Sequence, residues 1–324
     1  MCKSDRIKVI IGFALIGLII VAIFALPYLR FGRLRLFGFF EGASTGSYQL
    51  VQEQEFPADG VRDIEVIWGS GDAAIVPGSG NVFVVREEAR PNLGGKMPQQ
   101  AWIRAENGCL KARWNENGST STESTPASGP NDGGENRRIT IEVPAAAQDK
   151  LGSIVLNGTS GSYQLGRLTS DAVEVDFTSG ELKCVGVATS RISLSFTSGS
   201  VATQELSAET LDVSLTSGDA ALAGIVRDAA RIDLTSGDVE TSFTSLPATL
   251  DLTFTTGDVV LNLPAQAGFT AQVSTTSGDV TSDFAQGDAG TAGTDSATRV
   301  YRNGDGSAAI IVALTSGDLA LQRA

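Results

Sequence analysis

A Thr-Ser-Gly tripeptide, usually followed by Asp, returns at Thr159, Thr178, Thr197, Thr216, Thr235, Thr255 (as Thr-Thr-Gly), Thr276 and Thr315. The spacings are 19, 19, 19, 19, 20, 21 and 39 residues, a fixed period that doubles once near the end. Nineteen residues cannot bury a hydrophobic face alone, so such repeats must stack.

The residues around each tripeptide say what stacks. One, three and five positions before the threonines stand Phe177, Val175, Val173, then Phe196, Leu194, Ile192, then Leu215, Val213, Leu211, and the rows continue to Leu314, Val312, Ile310. A period of two places side chains on one face of a strand. Four residues after each threonine comes another apolar or small residue, among them Leu182, Val201, Ala220, Val239, Val259, Val280 and Leu319, so a second short strand leaves the turn. The pattern predicts an all-β chain, a β-solenoid of parallel β-helix type with coils of about 19 residues, each covering the apolar row of the one before. A β-sandwich competes, since short strands at even spacing also suggest one, but sandwich loops vary in length and these spacings hardly do.

The tripeptide reads first as a turn: glycine tolerates positive φ, while Ser and Asp hydrogen-bond local backbone. A sharper reading follows from stacking in register, which lines Asp219, Asp238, Asp258, Asp279 and Asp318 along one edge. Like charges one strand apart repel, and calcium, which seeks hard oxygen ligands, would relieve them. The glycine-rich nonapeptide of calcium-binding β-rolls is absent.

The template appears once early, where Ile64, Val66 and Trp68 precede Gly69-Ser70-Gly71-Asp72, followed by Ala73 and Ile75. Residues 48–150 therefore read as an N-terminal coil or cap, with strands near 82–86, 101–106, 109–114 and 139–143 and a disordered loop at 115–136. Residues 151–324 read as the regular array. A second loop, 285–306, accounts for the doubled spacing as one coil carrying an insertion. The chain stops three residues past Leu321, which leaves little to cap that end.

From Val9 to Leu29 no residue is charged, a run of 21. That is long enough for a membrane helix, and Ile23-Phe24-Ala25 makes a poor signal-peptide cleavage site. The chain thus divides into a tail (1–8), a retained transmembrane helix (9–29) and a basic, aromatic juxtamembrane linker (30–47). Three basic residues precede the helix and three follow it, so the charge rule gives no orientation. The short tail and the Ser-, Thr- and Gly-rich body favour a single-pass protein of the cell membrane with its large domain extracellular.

No histidine occurs in the 324 residues, which excludes Ser-His-Asp, Cys-His and imidazole-metal chemistry. Of Cys2, Cys109 and Cys184, the last occupies the row that holds Leu222 and Leu261 elsewhere and reads as a small buried hydrophobe. A net +5 over residues 1–40 leaves −18 for the remainder of a chain whose total is −13. Such a body repels nucleic acid and favours cationic partners.

The early Trp68-Gly-Ser-Gly-Asp unit, the Ile139-Thr-Ile-Glu-Val-Pro144 strand and the Ser-Gly-Asp-Val-type repeats resemble the bacterial putative-adhesin, β-strand-repeat family over residues 48–324. The resemblance implies a repeat fold and, through some members, a link to envelope stress responses in Gram-positive bacteria. It names no catalytic residue and no cofactor.

The expected function is non-enzymatic: a membrane-anchored envelope solenoid for adhesin-like interaction or sensing of envelope stress. Its binding surface would be the outward strand faces, with Asp176, Ser195, Ser214, Asp233 and Thr253 repeating. Its partners would be cationic peptides, envelope polymers or other envelope proteins. The alternatives are a membrane-tethered scaffold that polymerises by end-to-end stacking of open solenoid ends, and a polysaccharide-acting β-helix enzyme. No carboxylate pair stands apart from the repeat to support the enzyme.

Overall fold

A computed structural model describes residues 47–91, 97–114, 137–286 and 297–324. The expected tail, the helix at 9–29 and the loop at 115–136 lie outside the described residues. No helix among the described residues is long and apolar enough to cross a membrane. Ser47–Ala324 forms one compact unit, so the N-terminal cap and the regular array share a body.

The strands in chain order are β1 (Gln49–Pro57), β2 (Asp63–Ser70), β3 (Asp72–Pro77), β4 (Val82–Ala89), β5 (Trp102–Glu106), β6 (Cys109–Arg113), β7 (Arg137–Val143), β8 (Leu151–Ser160), β9 (Ser162–Leu165), β10 (Thr169–Phe177) and β11 (Glu181–Val185). They continue as β12 (Ala188–Ser236), which runs through the turns at Thr197 and Thr216, then β13 (Val239–Ser245), β14 (Thr249–Thr256), β15 (Val259–Leu263), β16 (Phe269–Ser277), β17 (Val280–Ser282), β18 (Ala285–Gln286), β19 (Ala297–Asn303), β20 (Ala308–Ser316) and β21 (Leu319–Arg323). All join one continuous hydrogen-bonded sheet.

The predicted rows form the core. Successive coils pair parallel and in register, Val173 beside Ile192, Val175 beside Leu194 and Phe177 beside Phe196. These side chains point inward and are buried, as are Leu182, Val201 and Val239 across the interior. Val187, Leu206 and Val226, buried between coils, close the remaining side. Cys184 is buried as expected, and burial pushes its thiol up to about 12. One coil breaks the pattern in a compensated way: Gly158 stands where Phe177 and Phe196 stand. The space is taken by Tyr163, whose hydroxyl would sit 2.2 Å from a Cβ at Gly158 and donates to the Trp68 carbonyl oxygen at 2.8 Å.

The order of stacking corrects the sequence reading. At the C-terminal end β20 pairs on one side with β14 and on the other with β16, and β21 likewise pairs with β15 and β17. The last coil in sequence therefore lies inside the stack, and β16–β17 forms the outer one. The mirror arrangement holds at the start, where β2 lies between β6 and β8 and β3 between β7 and β9. The predicted loop at 285–306 is not all loop either: its described part supplies β18 and β19, and β19 runs antiparallel along β16.

Apolar volume explains this order. The inserted coil brings Ala308, Ile310, Val312, Leu314, Leu319 and Leu321, all buried, whereas the outer coil sets Phe269, Ala271, Val273, Thr275, Val280 and Ser282 against them. With about 0.8 kcal/mol for each methylene removed from water, the larger set belongs in the middle. The small side chains of the outer coil leave room for a plug from the insertion, Phe284 and Tyr301, with Phe284 edge-on to Phe269 at 4.9 Å. The open end expected near Ala324 is thus replaced by an outer coil whose pre-turn strand is covered by an antiparallel strand. At the other end β5 covers β6, while β4 and β1 extend beyond β7. The outermost described strands are then β1 and β5 at one end and β17 and β18 at the other.

Candidate functional site

Two features repeat along the stack, a turn column and an outward strand face. The column begins with backbone. Gly218 has φ +130°, and a Cβ there would lie 1.8 Å from the carbonyl oxygen of Gly199, which stands in the same relation to Gly180. Consecutive turns approach more closely than any side chain permits. The serines reinforce this contact: Ser179 Oγ donates to the Thr159 carbonyl oxygen at 3.2 Å, and Ser198 Oγ to that of Thr178 at 3.4 Å.

The aspartates complete the column. The structure does bring Asp219, Asp238, Asp258, Asp279 and Asp318 into one row, in the stacking order 219, 238, 258, 318, 279. The backbone N–H of each donates to Oδ1 of the one before, at 3.1 Å for Asp238 to Asp219, 3.0 Å for Asp258 to Asp238, 2.9 Å for Asp318 to Asp258 and 2.8 Å for Asp279 to Asp318. Asp72, in the early copy of the template, does the same for the Ser162 N–H at 3.1 Å. Burial pushes the Asp238 carboxyl up, the N–H of Asp258 draws it down, and the charges of Asp258 and Asp219 raise it further. Burial also raises Asp72, opposed by the Ser162 N–H and by Arg138 and Arg90. The row therefore has a structural employment as a ladder of hydrogen-bond acceptors between turns. Among the described residues no group of three or more His, Cys, Asp or Glu is placed to hold a metal.

The outward face lies on the strands before the turns. Thr178, Thr197, Thr216, Thr235 and Thr255 are all exposed, one per coil. Two residues earlier come Asp176, Ser195, Ser214, Asp233 and Thr253, and four residues earlier Glu174, Ser193, Asp212, Arg231 and Asp251. Pairing holds the rows in line, as Asp176 beside Ser195 and Arg231 beside Asp251 show. Adjacent members therefore sit one strand spacing apart, about 4.8 Å. Arg231 is the cation within these rows, and Arg191, exposed two residues before Ser193, stands at their edge. Arg231 Nε donates to Asp233 Oδ2 at 2.8 Å, and its pKa is raised first by that bond and then by Asp251 and Asp212 on the neighbouring coils. The pair is exposed and contributes little to stability. Three carboxylates around one guanidinium leave this part of the face acidic.

A buried polar cluster in the N-terminal cap had no signal in the sequence. Glu87 is fully buried and paired with Arg137, and it also accepts from Gln52 Nε2 at 2.7 Å and from the Ala101 N–H at 2.8 Å. The Arg137 guanidinium stacks 4.1 Å from the centre of Trp114 and donates to the Gln99 carbonyl oxygen at 2.9 Å. Every group has a partner within the cap, and the cluster ties β1, β4, β7 and the chain before β5 together.

A model of the family described as Toastrack DUF4097 matches residues 106–322. No curated protein matches the chain. Among solved structures, the chain matches a putative cell adhesion protein from Clostridium sporogenes at 10% identity, covering 86% of this chain and 100% of that one, with a TM-score of 0.28. It matches a putative adhesin from Parabacteroides distasonis at 10% identity over 85% and 98%, with a TM-score of 0.46. A third match, a putative adhesin from Bacteroides fragilis, is 12% identical over 86% and 100%, with a TM-score of 0.40.

Proposed function

The chain belongs to the Toastrack DUF4097 family, and we propose that it is a non-enzymatic, adhesin-like interaction module of the cell envelope, carried outside the cell on a membrane helix at 9–29. One observation carries this reading: the outward face is an ordered array of exposed and half-buried polar side chains on mutually hydrogen-bonded parallel strands. A repeating face suits a partner that is itself extended, because every coil adds an equivalent contact and weak contacts sum. The carboxylates of Glu174, Asp176, Asp212, Asp233 and Asp251 select a cationic partner by complementary potential. Cationic membrane-active peptides and amine-bearing envelope polymers fit that description, and binding the former would make the module a sensor of envelope stress.

The face is tested by changing Asp212, Asp233 and Asp251 together to Asn. The expected result is about tenfold weaker binding of a polycationic peptide at low salt, with a flatter salt dependence and an unchanged melting temperature. Equal affinity in the variant would place the contact elsewhere. Exposure outside the cell is checked separately by protease shaving of intact cells carrying a tag after Ala324, with lysed cells as the control. A tag protected until lysis would overturn the extracellular placement.

A further inference from the structure

The coil β20–β21 fills a slot whose two walls are built before it. Those walls, β14–β15 and β16–β17, are joined directly through residues 264–268. The chain then reaches the slot over a short saddle. β19 lies along one side of β16 and β20 along the other, so Phe269 faces Asn303 in one pairing and Ala308 in the other. Four residues, Gly304-Asp305-Gly306-Ser307, cross the start of β16 between them, a distance of two strand spacings or about 10 Å. Gly304 and Gly306 take φ values of 56° and 71°. Ser307 Oγ donates to the Gly268 carbonyl oxygen at 3.2 Å, and a Cβ on Gly268 would lie 1.7 Å from Asp305 Oδ1.

We propose that this slot also accepts β20–β21 from a second copy of the chain, with the saddle opening into an extended bridge so that two chains exchange their last coils. Nothing the coil touches depends on which copy supplies it. It pairs parallel on both sides in one register, with Ile310 between Leu250 and Ala271 and Val312 between Leu252 and Val273. Exchange thus keeps every contact inside the stack and changes only the saddle, which is the condition for low-cost exchange of an element between copies. Short, tightly turned hinges favour the opened form. Each site then contains residues of its partner: Asp318 enters the other chain's aspartate row, and Ala313 and Thr315 enter its outward face. The inference does not rest on the proposed binding partner.

Thr253 and Ala313 are exposed register partners on adjacent parallel strands, within disulfide reach of each other. Two full-length chains with different tags, one carrying Thr253→Cys and the other Ala313→Cys, are co-expressed and mildly oxidised. The expected result is a disulfide-linked dimer bearing both tags, well above the level that either chain forms alone and collapsed by reductant. The Thr253→Cys, Ala313→Cys double variant is the reference, because in an unexchanged chain its disulfide closes within one chain. Monomers from the mixed pair together with closed monomers from the double variant would overturn the proposal. Failure of the double variant to form any disulfide would remove the pairing on which it stands and would overturn it as well.

Discussion

At Gly218 the whole architecture bears on one missing methyl group. The residue combines a φ of +130° with a carbonyl oxygen 1.8 Å from where a Cβ would stand, so relief needs movement of two turns against each other. Gly218→Ala is expected to lower stability by more than about 3 kcal/mol, read from the denaturation midpoint. Gly60→Ala is the control, with open space around its Cβ and no positive φ, and is expected to change stability by less than about 1 kcal/mol. A glycine every nineteen residues was plain in the sequence, and its turn role followed from chemistry. The reason that it must be glycine was not, because the obstructing oxygen belongs to the previous coil.

Strands were legible wherever their own residues alternated. The expected strands near 82–86, 101–106, 109–114 and 139–143 correspond to β4, β5, β6 and β7. β19 was missed because Ala297–Asn303 becomes a strand through its pairing with β16 and not through an apolar pattern of its own. Glu87 and Arg137 were invisible for a related reason: they stand 50 residues apart and meet only when the cap closes. The aspartate row was visible as a row, while its use as an acceptor ladder had to come from geometry. That ladder has a pH signature. Asp238 holds its proton more tightly folded than unfolded, so its ionised form opposes folding at neutral pH, and this penalty fades as pH falls through the raised folded value toward the ordinary 3.8. Asp238→Asn keeps the Oδ1 that accepts the Asp258 N–H. It is expected to melt higher than the parent at pH 7 and to lose that advantage below about pH 4. A melting difference that grows on acidification would contradict this account.

For the molecule as a whole, the period identified the coils but not their order. Coils of the regular array carry the same turn register and so are interchangeable, while apolar volume together with the position of the insertions decides which lie at the ends. Interchangeability makes a direct prediction: removing residues 188–206, one full period, joins Val187 to Ser207 at the equivalent position. The shortened chain is expected to fold with a single cooperative melt, whereas removing half that length should abolish it. Circular dichroism on both deletions decides. At each end the outer coil carries strands from its own insertion, with the first and last coils in sequence each lying one place in, so the coils of the middle are the ones that repeat without attachments. Lengthening is simplest in the middle, where gain or loss of nineteen residues resets the reach of the molecule by one strand spacing and leaves both ends as they were. A lineage built this way adjusts its span as a ruler is cut, in whole divisions.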